Sequence, residues 1–541
     1  MSQHYDVAII GAGVSGVYSA WQLKKNFPGK SIAVFEGSDR IGGRLLSVKA
    51  PGVDNMVAEL GGMRILDAAR QPLIHALLDQ INQFSSLPNL IEYYPFPVDT
   101  PVNFAYLREV RLRLKDYQDN PHALPYNYST DAYAQTPGSV MIAALDKIVP
   151  GITDPDLTER QRREMAMKAE FQGKMLYEQG FWNVLQQVMS SEDYLYCQDA
   201  GGYNSTMSNW NAADAIPWFL TDFGDDVKYF GFKQGFQQVP VALAEEFQAI
   251  GGELMMGHKL TTFTQVNGAF ELHFNTELEI TPHDALQCTA THVVLAMPRR
   301  AIDLLEPNCP LLQQPVVKSL TGSVTPRPLF KLFTTYASPW WVEQSGIESG
   351  RSVTNMPVRQ TYYWPTDEGQ PALSGPAILM ASYDDGVNVG FWDGYRQKRG
   401  LAWKQQMEVL PLPEYRAFTG LIQQQRGADA QWLAHQAPES MVKEVTRQVN
   451  LIHNVSVGES AQTQPLQAAF RDWGDDPYGG GWNSWNIGVQ SDDVANQIVQ
   501  PLPQTHLYIC GEAYSHSQGW VEGALQTAQL MLAKLVPQLK A

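Results

Sequence analysis

Four short apolar runs interrupt the polar background of the chain without period-2 alternation. They are Asp6-Val-Ala-Ile-Ile10, Ser31-Ile-Ala-Val-Phe-Glu36, Thr291-His-Val-Val-Leu-Ala-Met297 and Leu507-Tyr-Ile-Cys510. Runs of this length read as strands buried on both faces, the mark of a parallel sheet. After the first run, Val14, Val17, Tyr18 and Trp21 recur at helical spacing. After the last, Val521, Leu525, Ala528, Leu532 and Leu535 trace a second amphipathic helix. Pro326–Phe333 reads as a further apolar strand and Thr158–Gln172 as a polar helix. The pattern predicts an α/β protein.

The junction between the first strand and helix carries Gly11-Ala-Gly13-Val-Ser-Gly16. A strand-to-helix turn needs glycine where it is tight, where backbone approaches a pyrophosphate, and where helix and strand pack closely. The second strand ends in Glu36, placed to accept the hydroxyls of an adenosine ribose. A glycine turn beside a surface glutamate is the plain structural alternative. Two further glycine-rich, arginine-bearing segments follow, Gly42-Gly43-Arg44 and Glu59-Leu-Gly-Gly-Met-Arg64. A nicotinamide dinucleotide needs no second loop of this kind, whereas FAD, with its longer ribityl chain, can use both.

Composition narrows the class. The 541 residues allow two or three domains, and 44% hydrophobic with 18% charged residues is ordinary for a globular chain. A net charge of −17 argues against nucleic-acid and anionic-membrane partners, which need basic patches. Cys197, Cys288, Cys309 and Cys510 form no CxxC pair, so no metal site is expected and reduced, buried thiols are. Only four residues precede Tyr5–Ile10, with no signal-peptide pattern, and no run approaches the ~20 apolar residues of a membrane helix. A cytoplasmic protein is expected, with export by another route left open. The expected assembly is a homodimer. Arg108-Glu-Val-Arg-Leu-Arg113 is a basic run, read as a solvated face or channel entrance with no partner assigned.

The sequence resembles the flavin-dependent amine oxidase family and, within it, the L-amino-acid oxidases. The resemblance rests on GAGVSG at 11–16, Glu36, GGRLLS at 42–47, ELGGMRI at 59–65 and CGEAYSHSQGWVEGAL at 510–525. Segments at 103–113, 235–240, 359–365 and 478–485 resemble bacterial L-amino-acid oxidases. The resemblance implies a Rossmann-type FAD-binding domain from residues 1–66, 235–325 and 500–541. It also implies a mixed-sheet substrate domain from 67–110 and 326–499, and a helical domain over 111–234. It implies cofactor contacts at Gly11, Gly13, Gly16, Glu36, Gly43, Arg44, Gly61, Gly62, Met63, Arg64, Leu260, Gly511, Glu512, Trp520 and Val521. FAD is expected to be non-covalent, because no cysteine lies between Cys309 and Cys510 where related monoamine oxidases attach it.

The activity so implied is oxidation of an L-amino acid by oxygen, with hydrolysis by water, to a 2-oxo acid, ammonia and hydrogen peroxide. Arg64 is the expected carboxylate clamp, because a planar guanidinium binds a carboxylate bidentately; a structural ion pair is the alternative. Lys331, alone in an apolar strand, is costly to bury unpaired, and the resemblance places it near flavin N5 through a water. A snorkelling lysine is its plain reading. Trp520 is expected as an aromatic wall, with Gly519 letting its carbonyl approach the amine. Ser382 is expected where related enzymes carry a carboxylate-binding tyrosine, with Tyr383 adjacent. Tyr362, Tyr363 and Trp485 are further pocket candidates, although such aromatics are more often core. The many aromatics favour large neutral or aromatic substrates. Asp222, Asp384 or Glu522 would instead select arginine or lysine, and an amine or polyamine oxidase needs no clamp.

Overall fold

The computed structural model describes residues 3–223, 227–276, 286–396, 428–456, 461–475 and 477–540. The four apolar runs pair with one another. Glu253–Met256, Ile32–Glu36, Gln3–Ile10, Leu286–Leu295 and Leu507–Ile509 lie side by side in parallel. The strand Leu286–Leu295 is long enough to serve two neighbours. Its C-terminal half pairs with Leu507–Ile509, and its N-terminal half pairs antiparallel with Ala269–Thr276, which turns back to His258–Val266. Their interiors are almost wholly buried, from Val7 to Ile10 and from Val293 to Leu295. At roughly 1.5–3 kcal/mol per buried branched side chain, this layer is a main source of stability. The helix Val14–Asn26 packs against both Gln238–Ala249 and Val521–Lys540.

A second seven-stranded sheet runs in the order Gln467–Asp472, Leu329–Tyr336, Ala377–Asp385, Gln360–Tyr363, Arg351–Thr354, Phe104–Leu107, Val110–Arg113. All pairs are antiparallel except Arg351–Thr354 with Phe104–Leu107. It has its own aromatic core, including Tyr336, Trp340, Trp341 and Trp364. A third core is helical, built mainly from residues between Tyr117 and Leu220. The fold is therefore α/β, with a parallel cofactor-type sheet, a mixed sheet and a helical layer.

The elements refine the sequence reading. The stretch 111–234 holds helices from Pro137–Ile148 to Ala212–Phe223, but strands mark both its ends. Val110–Arg113 belongs to the large mixed sheet, and Tyr229–Phe232 pairs with Ile65–Leu66 and Tyr93–Pro95. The hairpin Ser47–Ala50/Val53–Glu59 turns Val48, Val53, Met56 and Ala58 into the second core. The polar helix predicted to reach Gln172 runs from Glu159 to Lys168, started by a capping box at Thr158 and Gln161. It stops because Gln172 and Gly173 adopt positive φ and fold Glu170–Phe171 back on Lys174–Met175. The basic run is structural: Arg108 pairs with Glu192, and Arg111 donates to the carbonyls of Leu451 and Ile452 near a helix C-terminus. Among the described residues, no helix is long and apolar enough to cross a membrane.

Candidate active site

One cavity of about 900 Å³ runs from the C-terminal ends of the parallel strands to the mixed sheet. It is large enough for an extended dinucleotide plus a small substrate. At one end the glycine turn follows the first strand. Gly11 has φ +110°, and a Cβ there would meet the Ala296 carbonyl at 2.5 Å. A Cβ on Gly16 would lie 1.9 Å from the Gly11 oxygen, so helix and strand touch backbone to backbone. Gly13 is different: it lines the cavity, and only Gly43 comes within 4 Å of its missing Cβ. It is also the N-cap of Val14–Asn26 and offers no side-chain cap, so the open helix N-terminus is directed to a ligand. The Glu36 carboxylate accepts from Ala12 N at 2.8 Å and from Ser38 N at 2.9 Å, and with Leu260 it lines the cavity. An extended anionic cofactor fits this donor set.

The second loop meets the third across the same cavity. Gly61 N donates to Leu46 O and Gly62 N to Arg44 O, and a Cβ on Gly61 would stand 2.3 Å from Arg44 O. Gly43 takes φ +59°. Arg44 Nη1 donates to Glu512 at 2.7 Å. Glu512 is held by Asn483 and by Gly519 N at 2.6 Å, which ties the loop after Gly511 into place. Gly43, Arg44, Gly61, Gly62, Met63, Gly511, Glu512, Gly519, Trp520 and Val521 all line the cavity. Val521 starts the helix to Lys540, so the positive end of that helix faces the cavity wall. None of the four cysteines, all buried, is among the lining residues.

At the mixed-sheet end, Arg64 and Lys331 face the same space. Arg64 is 6% exposed. Its Nη1 donates to Tyr362 Oη at 3.2 Å and its Nη2 to Tyr203 Oη at 3.4 Å, and the guanidinium lies 4.0 Å from the Tyr229 ring centre. Among the described residues, no carboxylate lies within ion-pair distance of it. Burial opposes its charge, but the tyrosine oxygens and Asp222 outweigh that and hold its pKa well above the ordinary value. Lys331 Nζ donates to Glu59 O at 3.1 Å and Gly61 O at 2.5 Å and sits 4.9 Å from the Tyr383 ring centre. Burial pushes Lys331 down to about 7 against the pull of Glu59. Burial likewise pushes Glu59 up to about 7, although its carboxylate accepts from Ser47 Oγ and Phe236 N.

Four expected pocket residues stand elsewhere. Ser382 faces away from the cavity and donates to Val358 O. The pairing register sets Lys331 opposite Tyr383, and cross-strand partners share a face, so Tyr383 is the residue beside Lys331. Tyr362 stands behind Arg64, donating to Gln360 and accepting from the guanidinium, and does not line the cavity. Tyr363 is also internal, bonded to Ser352 and His453. Trp485 is buried and fixes the C-terminal loop by donating from its indole to Ser515 O and from its backbone N–H to Gln518 Oε1.

The residues missed are Trp482, Trp218, Tyr203 and Tyr383. Trp482 lines the cavity, stacks on Trp218 with ring centres 5.6 Å apart, and donates to Ser205. Trp482 and Trp485 are three apart on one strand and so face opposite sides, a signal readable from the motif. Of the three acids considered for basic side chains, only Asp222 lines the cavity. Asp384 accepts from Trp392, and Glu522 receives Leu73 N and Ile74 N at the start of helix Pro72–Ile81.

Comparison with known proteins gives a consistent picture. The family model described as flavin containing amine oxidoreductase matches residues 14–531. Aplysianin-A of Aplysia kurodai is 25% identical over 97% of this chain and 89% of its own length. An L-amino-acid oxidase of Sistrurus catenatus edwardsii is 21% identical over 96% of this chain and 85% of its own. The solved structure of wild-type putrescine oxidase bound to putrescine superposes with a TM-score of 0.63 at 17% identity, covering 99% of this chain and 100% of that one. At that identity the likeness speaks for the fold.

Proposed function

The chain belongs to the flavin-containing amine oxidoreductases, and from that premise we propose that it oxidises the α-amine of L-amino acids. The overall reaction is amino acid, water and oxygen to 2-oxo acid, ammonia and hydrogen peroxide. Bound FAD, held by the glycine turn and the loops around Arg44 and Glu512, would supply the two-electron redox chemistry between Cα and oxygen. The protein's part is orientation and electrostatics. Arg64 would take the substrate carboxylate with its planar fork, and Tyr203, Tyr229 and Tyr362 keep that fork in one orientation. Lys331, anchored through two carbonyls, keeps one N–H for a water at the cavity wall. Trp482, Trp218 and Trp520 would wall the amine and exclude bulk water.

The observation that carries this reading is Arg64: a buried guanidinium, forced to stay charged, facing a cavity with no ion-paired carboxylate among the described residues. Such a group is stabilised by an incoming anion. Large neutral side chains suit the aromatic walls. Asp222 in the same cavity favours a second reading, in which a cationic side chain or a diamine is taken. The test is to mix the FAD-loaded protein, without oxygen, with panels of L-amino acids and of primary amines while following flavin absorbance. Bleaching by amino acids, weakened on the order of 100-fold in Arg64→Ala, supports the proposal. Bleaching by amines alone, equal in parent and Arg64→Ala, would sink it.

A further inference from the structure

Asp222 lies on the helix Ala212–Phe223, 6% exposed, and lines the cavity together with Arg64. One tyrosine joins them. Tyr229 puts its ring against the Arg64 guanidinium, and its hydroxyl donates to Asp222 through both the backbone oxygen at 2.5 Å and Oδ1 at 3.3 Å. Arg64 and Asp222 do not form an ion pair within 4 Å, so the positive charge is balanced across a gap rather than capped. A ligand carboxylate at Arg64 therefore shares its cavity with a second carboxylate.

We propose that Asp222 is a proton-linked competitor for the substrate carboxylate at Arg64: binding of a carboxylate is accompanied by uptake of a proton on Asp222, and affinity falls as Asp222 ionises. This deepens the amino-acid reading and rests on it. Two carboxylates in a low-dielectric site do not both stay ionised. Burial already pushes Asp222 up to about 6, against the opposing field of Arg64 and the Tyr229 bond. A bound ligand neutralises Arg64 and removes the chief force that keeps Asp222 ionised, so its pKa rises further in the complex. Protonation is then linked to binding. Affinity is flat below about pH 6, falls up to tenfold per pH unit above it, and levels off once the pKa of the complex is passed.

The charged or titratable groups interacting with Asp222, among the described residues, are Arg64, Arg351, Tyr229 and Tyr383, with Tyr203 and Tyr362 bonded to the Arg64 guanidinium beside them. Arg64 and Arg351 stay charged, and burial holds Tyr203, Tyr229 and Tyr383 neutral across this range. Lys331 lies farther along the same cavity and titrates near 7, so it needs its own control.

The experiment uses benzoate, a carboxylate without an amine, titrated into the FAD-loaded protein from pH 5 to 9 while the flavin spectrum is followed. Proton uptake is measured in parallel by calorimetry in two buffers of different ionisation enthalpy, which needs no variant. The expected result is a Kd that rises about tenfold between pH 6.5 and 7.5, with net proton uptake over that interval. Asp222→Asn should bind benzoate at pH 8 within about twofold of its value at pH 5, while Lys331→Met keeps the parental slope. A flat parental Kd from pH 5 to 8, absence of proton uptake, or an unchanged slope in Asp222→Asn overturns the inference and leaves the Arg64 clamp standing. No benzoate binding at any pH removes the clamp as well.

Discussion

Replacing two glycines of the first turn separates what that turn does for the fold from what it does for the cofactor. In Gly16→Ala the new methyl would stand 1.9 Å from the Gly11 oxygen, and both the Gly11 carbonyl carbon and Ala296 Cβ lie within 3.2 Å. Carbon and oxygen need about 3 Å, so the helix Val14–Asn26 must lift off its strand by about 1 Å. That helix buries Val14, Val17, Tyr18, Ala20, Trp21 and Leu23 between the parallel sheet and its neighbouring helices. Overpacking of this kind costs typically 1–3 kcal/mol, and a backbone partner that cannot swing aside puts this site at the upper end. The apoprotein should therefore melt about 3 °C below the parent, from ~3 kcal/mol over an unfolding entropy of ~1.1 kcal/mol/K for a chain of this length.

Gly13→Ala is the counterpart. Gly13 has φ −74°, which alanine adopts freely, and the nearest protein atom to its Cβ is Gly43 Cα at 3.9 Å. The apoprotein should melt within about 1 °C of the parent. The methyl projects into the cavity where the pyrophosphate must approach, so FAD should bind about 10–100-fold more weakly, or ~1.4–2.8 kcal/mol. The assay is melting temperature of the apoprotein together with FAD titration by fluorescence quenching. An apo Gly16→Ala as stable as the parent would refute the packing argument. A Gly13→Ala with parental FAD affinity would refute the placement of the pyrophosphate.

Three further outcomes follow from the reaction end. Arg64→Lys keeps the charge but loses the fork held by Tyr203 and Tyr362, so KM for amino acids should rise about 10–100-fold with a smaller change in kcat, read by steady-state peroxide formation. Lys331→Met should slow reoxidation of the reduced enzyme by oxygen at least about tenfold, read by stopped flow. It should also change stability with pH. Because Lys331 titrates near 7 when folded and near its ordinary value unfolded, the unfolded chain binds more protons between those limits; the parent gains stability as pH rises from about 7 to 10, and Lys331→Met should lack that slope in denaturant midpoints. Ser382→Ala should leave kcat/KM within about twofold, since its hydroxyl faces Val358; a tenfold loss would put Ser382 in the pocket after all.

The cofactor end was legible because its constraints are local. A turn that touches its own strand needs glycine at Gly11 and Gly16, and Glu36 follows at a fixed distance along the chain. Arg64 and Lys331 were legible because an arginine among glycines and a lysine in an apolar strand are both costly unless used. What was not legible depends on register. A bulge between Leu332 and Phe333 shifts the pairing against Ala377–Asp385, and one residue of slip exchanges Ser382 for Tyr383 on the cavity face. The choice between Trp485 and Trp482 is of the same kind. Asp222, Tyr203 and Tyr229 come from the helical region and its closing strand, and only tertiary packing brings them to Arg64.

The parallel sheet gathers its strands from widely separated stretches: Gln3–Ile10 and Ile32–Glu36, then Glu253–Met256 and Leu286–Leu295, and last Leu507–Ile509. This order imposes a timetable on biosynthesis. As the ribosome delivers the first βαβ segment, one edge of Gln3–Ile10 has no neighbour until Leu286–Leu295 emerges, and until then the nascent chain carries an open, apolar edge. Glu512, Gly519, Trp520 and Val521 follow the last strand of the sheet, yet they close the wall between the dinucleotide end and the reaction end. Contacts this distant along the chain make assembly slow and vulnerable to aggregation. They also mean that a product truncated before Glu512 lacks the closing wall, so the cavity takes its full form only after the parallel sheet has all its strands.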